Sequence, residues 1–227
     1  KILYCIKYNL NFNMQDDITK KLENTISKSN SNKSQFWIRR IKGLNKTNPN
    51  PIDTYDIFQS SEYGPYLKKK FLSSILHYLG QLKLYGPTIF KSETYKKYKK
   101  VLDGNGRQID FQVLKHILWI EKIKNHIKNK KKICVIGDSK LNFLLGAYLT
   151  NQDAQLFSIN LPEVLITDYL VMKKINFLKT SKIEVVENFK DFNYSEKVKL
   201  YMIPASEAEF CKNKNIDFFS ILILCKK

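Results

Sequence analysis

The sequence lacks any long hydrophobic run. No apolar stretch approaches the roughly 18–20 residues that a helix needs to cross a bilayer, and the opening KILYCIKYNLNF is too short and too polar for a secretory leader. Cysteine is scarce and scattered: Cys5, Cys134, Cys211 and Cys225 form no C-x-x-C pair and no Cys/His ligand spacing. Neither a zinc site nor a disulfide framework is therefore indicated. His77, His116 and His126 are equally dispersed, each within a helical stretch, so no metal is expected. Glycine contributes only 8 of 227 residues, and no G-x-G-x-x-G fingerprint of a dinucleotide-binding turn occurs. Only three arginines are present to read base edges. These absences leave a reduced, cytoplasmic protein with no membrane span as the expectation.

What the chain has in excess is lysine. The formal charge is +18, and residues 1–152 carry 28 Lys/Arg against 11 Asp/Glu, whereas residues 153–227 are nearly balanced at 11 against 10. A basic half of this kind suits nucleic acid or an anionic surface. Its lysines are dispersed, however, in a chain rich in Lys, Asn and Ile throughout, which favours a general compositional bias over a dedicated binding face. A basic helical nucleic-acid-binding protein stands as the alternative reading of function.

Residues 1–130 read as a helical region. A helix is predicted over 15–28, capped by Asp16 or Asp17 and striped by Ile18, Leu22 and Ile26. SKSNSNKS (27–34) reads as a linker, 35–42 as a short apolar helix or turn, and 45–58, with Pro49 and Pro51, as a loop. A long helix is predicted from Gly64-Pro65 to Gly86-Pro87, with Leu67, Phe71, Ile75, Leu79 and Leu82 as its apolar stripe and His77 off it. Further helices are predicted over 92–102 and 110–128. The DGNG turn (103–106) follows a polar helix rather than a strand, so it is a connection and not a phosphate loop. Residues 1–13 precede the first methionine, Met14, and are read as a lead outside the folded part.

The run KNKKK (128–132) marks the boundary to a second region, 131–227, in which strand and helix alternate. Ile133–Ile136 is a short apolar run of the kind buried on both faces of a parallel sheet. Gly137 breaks it, and Asp138, Ser139 and Lys140 are turn residues. Helical spacing returns at Leu141, Leu144, Leu145, Tyr148 and Leu149. A second strand covers 155–159 and closes at Asn160. Leu161-Pro162-Glu163 then opens a second helix, with proline suited to its first turn and glutamate to its positive end. Further strands are predicted over 198–203 and 216–224, with a short helix over 206–212. The stretch 182–192 reads equally as a strand or an extended turn.

In a β-α-β-α unit the two strand ends face one crevice, so Gly137 and Asn160 are expected to frame a hollow sized for an adenosyl group. A glycine lets a ligand approach the backbone, and a polar residue after the second strand can hold ribose hydroxyls. For Asp138 a helix cap and a ligand contact are equally indicated.

VIGDSKLNFLLGAYL and FSINLPEVLITDYLVMKK together resemble the sugar O-methyltransferase family of S-adenosylmethionine-dependent, Rossmann-like enzymes. The likeness rests on Leu161-Pro162-Glu163-Val164-Leu165, supported by Ile136-Gly137-Asp138, HILWIEKIKNHI, KLYMIPASEAEF and NIDFF, over roughly residues 110–219. Val135, Ser139 and Asn160 depart from the family pattern, standing where an acidic residue, a glycine and an aspartate are common. The resemblance implies a helical N-terminal region followed by a Rossmann-like methyltransferase sheet, mostly parallel. It also implies that SILILCKK replaces the family's continuation, leaving the sheet incomplete and the chain truncated and inactive by itself. It implies S-adenosylmethionine as cofactor, a sugar or glycan hydroxyl as substrate, and Gly137, Asp138, Ser139, Asn160, Leu161 and Ala205 as cofactor contacts. No catalytic base is assigned.

Overall fold

The computed structural model describes residues 17–28, 71–104, 109–138, 140–212 and 214–221. Expectations for residues 1–13, 29–58, 64–70, 105–106 and 222–227 lie outside these. The described elements begin with α1 (Asp17–Lys28), α2 (Phe71–Tyr85), α3 (Thr88–Lys91), α4 (Glu93–Asp103) and α5 (Phe111–Ile127). There follow β1 (Lys132–Ile136), α6 (Asn142–Thr150), β2 (Gln155–Asn160), α7 (Pro162–Ile175), β3 (Ile183–Val185), β4 (Leu200–Pro204) and β5 (Phe218–Ile221). Short 3-10 segments cover Thr180–Lys182 and Ala205–Cys211.

Three helices start where local chemistry relieves the free N–H groups of a first turn. Ser92 caps α4 by accepting from Tyr95 N at 3.1 Å, and Asp110 caps α5 by accepting from Val113 N at 2.8 Å. Pro162 occupies the first turn of α7 beside Glu163, and Asn176 ends that helix in the left-handed region at φ 48°. In α5 the residues Val113, Leu114, Ile117, Ile120 and Ile127 are all buried, a single face at helical spacing.

The five described strands form one all-parallel sheet in the order β3-β4-β2-β1-β5. The predicted strand of residues 216–224 is β5, and the undecided stretch 182–192 contributes only the three-residue β3 before turning irregular. Register is continuous across the centre: Ile136 pairs with Ile159 and Ile221, and Ile159 with Ile203. Alternation divides the side chains between two faces. Ile133, Val135, Leu156, Leu200 and Met202 join a large core with Leu22 of α1, Tyr98 of α4, Ile117 of α5, Leu144 of α6 and Tyr169 of α7. On the opposite face Cys134, Phe157, Ile159, Tyr201 and Ile203 meet Phe210 and the loop residues Phe189, Phe192 and Tyr194. The sequence boundary near residue 130 is thus a turn between α5 and β1, while the core runs through it. The pin is Asn151, whose Nδ2 donates to the carbonyls of Ile127 (3.1 Å) and Lys130 (2.7 Å).

One expected face is corrected. Of the predicted apolar stripe Leu67, Phe71, Ile75, Leu79 and Leu82, Ile75 and Leu79 are 40% and 52% exposed, and Leu82 is half-buried. The packed face instead carries His77, Gly80, Gln81 and Tyr85 against the start of α5. His77 sits edge-on to Phe111 with ring centres 4.7 Å apart, Gln81 donates to Ile109 O at 2.9 Å, and the Tyr85 hydroxyl donates to Phe111 O. The helix is apolar around most of its circumference, so spacing alone selects no side. The close approach at Gly80 does: a Cβ there would lie 3.3 Å from the Phe111 ring.

Candidate functional site

Strand order reverses at β1. The chain runs from β1 to β2, on to β3 at the sheet edge and back to β4 between them, then lays β5 on the other side of β1. In open parallel sheets a ligand crevice lies outside the carboxyl ends at such a reversal. The residues at that edge are the turn after β1, Asn160 and Leu161 after β2, and Ala205 after β4.

The turn is held in an unusual backbone state. Gly137 has φ 78°, and Lys140 and Leu141 follow at 61° and 56°, two side-chain-bearing residues in the left-handed region. Each such residue costs about 1–2 kcal/mol relative to a right-handed one. The compensation is visible in the hydrogen bonds. Lys140 N donates to Asp168 Oδ1 at 2.7 Å. Phe143 N and Leu144 N, in the first turn of α6, donate to Asp138 Oδ2 at 2.9 and 2.7 Å. Asp138 is therefore the cap of α6, placed three residues ahead of the residue at the cap position, Leu141, which offers no side-chain bond of its own. A carboxylate at this end also meets the positive pole of the helix.

Asn160 is committed to the same knot. Its Nδ2 donates to the Asp138 carbonyl at 2.6 Å and lies 3.5 Å from Asp168 Oδ2, and its Oδ1 accepts from Leu161 N at 3.0 Å. Gly137 N donates to Ile159 O at 2.9 Å. The two strand ends are adjacent, as expected. The hollow expected between them is bridged directly by the Asn160 amide, because a side chain of that length spans neighbouring parallel strands. Asn160 therefore clamps the turn and presents no free amide hydrogen toward a ribose.

Titration follows from burial. Asp168 is fully buried, and burial, reinforced by the charge of Asp138, pushes its carboxyl well above the usual carboxylate range; the hydrogen bonds from Lys140 and Asn160 oppose that shift. His116 of α5 packs edge-on to Trp119 and Phe143, and its Nδ1 lies 2.7 Å from Gln112 O. Burial lowers its pKa, with the charge of Asp138 acting against the shift.

Of the six candidate contacts, Gly137, Asp138, Asn160 and Leu161 come together at the turn. Ala205 lies one strand further along the same edge, next to Pro204, which pairs with Asn160. Ser139 lies outside the described residues. Leu161 is half-buried and Ala205 exposed, whereas Asp138 and Asn160 are buried. Spacing did not single out Asp168, Lys140 or His116. The signal for Asp168 was present: it occupies a place in the buried stripe of Leu165, Tyr169 and Met172, where an apolar residue belongs. No family model matches the sequence. No curated protein and no solved structure matches it either. The geometry of the turn therefore carries the functional reading together with the sequence motifs.

On the opposite side of the sheet Cys134 is a buried free thiol, and Cys211, in the 3-10 segment, is a half-buried one. The neighbouring Cys211 thiol and burial raise the Cys134 thiol, while the neighbouring Cys134 lowers Cys211. Among the described residues no three His, Cys, Asp or Glu side chains gather to hold a metal ion, and no helix is long and apolar enough to cross a membrane.

Proposed function

We propose that the chain is an S-adenosylmethionine-binding, Rossmann-like methyltransferase domain of the sugar O-methyltransferase type, acting on a sugar or glycan hydroxyl. The observation that carries this reading is the position of Leu161-Pro162-Glu163. The motif opens α7 directly at the carboxyl end of β2, one strand away from the Gly137 turn. That is the strand–turn–helix context the motif requires.

The residues fit the adenine side of the cofactor and not the ribose contact assigned to Asn160. Gly137 allows close approach to the backbone, and Leu161 and Ala205 supply an apolar wall. The ribose hydroxyls must find other partners, because the Asn160 amide is bonded inward. The cofactor supplies an electrophilic methyl group on a positive sulfur. The chain's part is to orient and to exclude water. Asp138, Asp168 and His116 are all buried and packed or bonded inward, so none of them is offered to a substrate hydroxyl.

Calorimetry with S-adenosylhomocysteine tests this reading. One-to-one binding that is unaffected by added RNA is the expected result. Absence of binding to both the methionine and homocysteine forms overturns it, and salt-sensitive RNA binding in their place establishes the basic nucleic-acid-binding alternative.

A further inference from the structure

The five described strands run parallel, so their amino ends lie along one edge of the sheet, opposite the edge that carries the Gly137 turn. Backbone hydrogen bonds draw the residues there into one row. Asp217 N donates to Lys132 O, Gln155 N to Lys131 O, Leu156 N to Lys199 O, and Lys199 N to Lys182 O. The segments that meet at this edge, 128–132, 151–155, 179–182, 196–199 and 212–217, hold ten lysines against three acids, Asp153, Glu196 and Asp217. Beyond the carboxyl ends of β1 to β4, the segments 137–141, 160–163, 186–187 and 205–207 hold four acids and one lysine, the buried Lys140. Residues 153–227 are nearly balanced in charge along the chain, so this separation arises only when the parallel sheet forms.

The lysines exceed what the fold needs. Helices α5, α6 and α7 end at this edge, and at roughly half a charge each their negative poles offer about 1.5 charges together. Among the described residues only Lys212 of the ten makes an ion pair, with Glu209 at 2.7 Å. Lys132 and Lys214 rest over the Tyr194 ring instead. Lys131 and Lys182 are exposed. Burial lowers the pKa of Lys199; Asp153 opposes that shift and the charge of Lys182 adds to it, so neighbouring ammonium groups stand close enough to repel. None of the large apolar side chains exposed among the described residues lies in these segments, so the edge offers charge without an apolar anchor for a bilayer. None of the three arginines lies there either. Lysine meets phosphate as a flexible point charge, whereas bidentate recognition of carboxylate falls to arginine. We propose that the amino edge of the sheet, a row about 19 Å long at the usual strand spacing, binds the phosphate backbone of nucleic acid without regard to sequence. It lies at the far end of the strands from the crevice, so nucleic acid and the adenosyl ligand proposed above bind without competing, and neither site depends on the other.

The test follows the fluorescence anisotropy of a labelled oligouridine titrated with the full chain between about 50 and 200 mM salt. Lys131→Gln combined with Lys182→Gln removes two exposed charges from the row. Lys83→Gln combined with Lys91→Gln removes two exposed charges from α2 and α3, outside it. The wild type is expected to bind, with affinity falling as salt rises. The edge variant is expected to lose affinity about tenfold or more and to flatten the slope of log affinity against log salt by about 1.4, at about 0.7 for each phosphate contact on a single strand. The control variant, with the same net charge, is expected to change affinity less than about twofold. Should the edge variant fail to fold, Lys182→Gln alone decides, with half the change in slope. Equal losses in the two variants overturn the proposal, because net charge and not this edge is then at work. Absence of binding at the lowest salt overturns it as well, and so does polyglutamate bound as tightly as oligouridine. Vesicles of phosphatidylserine and phosphatidylcholine are the last probe: if they are bound through this edge and oligouridine is not, the edge belongs to a membrane surface and the proposal fails. Absence of S-adenosylhomocysteine binding overturns the methyltransferase reading alone, while the comparison of the two variants still decides the role of the edge.

Discussion

Asp168 shows how one buried side chain couples turn geometry to solution conditions. In the folded chain its carboxyl holds a proton more readily than an exposed aspartate does. Such a group stabilises the fold fully at pH values below its unfolded pKa, and that contribution is lost as pH rises through its raised native value. His116 works in the opposite sense. Its lowered native pKa gives stability that is present above the unfolded value and lost as pH falls. Subtracting a variant from wild type cancels the histidine. Asp168→Asn is therefore expected to gain stability relative to wild type as pH rises above the ordinary carboxylate range, as read from urea midpoints. A gap that stays constant as pH rises removes Asp168 as the titrating group. The clamp at Asn160 belongs to the same scale. Its 2.6 Å bond to the Asp138 carbonyl ties β2 to the turn after β1.

At the scale of elements, α6 is the piece wedged most tightly. It packs against both α4 and α5, and Gly146 is where they come closest. A Cβ at Gly146 would lie 2.1 Å from the Tyr98 hydroxyl oxygen and 2.5 Å from Ile120 Cγ1. The Tyr98 hydroxyl in turn donates to Asn142 O at 2.6 Å, fixing the first turn of α6 just beyond the capped N–H groups. Overpacking at such a contact typically costs about 1–3 kcal/mol, so Gly146→Ala should lower the urea midpoint clearly. Tyr98→Phe loses one buried hydrogen bond, worth about 1 kcal/mol. Because it also removes the nearest clashing atom, the double variant should be less destabilised than the two single changes added together. A coupling energy indistinguishable from zero would mean that α6 does not approach α4 as described. The thin capping of α6 fits this picture: its first turn relies on Asp138, reaching back from outside the helix, and its body relies on packing.

At the scale of the whole molecule, the helical region and the sheet share one core. Leu22 of α1 is fully buried on the sheet's helical face, and Lys21 reaches Glu184 of β3 at 3.7 Å. Cys134, in the middle of β1, is fully buried on the opposite face, so its thiol reports opening of the sheet. Leu22→Ala should cost about 2–5 kcal/mol. If the core is one cooperative unit, labelling of Cys134, resolved from the other cysteines by mass spectrometry, should accelerate in proportion. Labelling that ignores the Leu22 change would separate the helical region from the sheet. Much of the architecture was legible from one-dimensional pattern. The buried apolar runs of β1 and β4, the periodic face of α5, Pro162 at the start of α7 and the glycine after β1 each follow from forces acting within a single element. Those forces impose a period of two or of 3.6 residues, which the chain alone displays. Three other features were set only by the tertiary structure: the packed side of α2, the reversal of strand order at β1, and the closing of the turn by Asn160 and Asp168. The last depends on groups 22 and 28 residues apart meeting within hydrogen-bond distance. Periodicity records how each residue faces its own axis, whereas such meetings depend on how the axes are stacked.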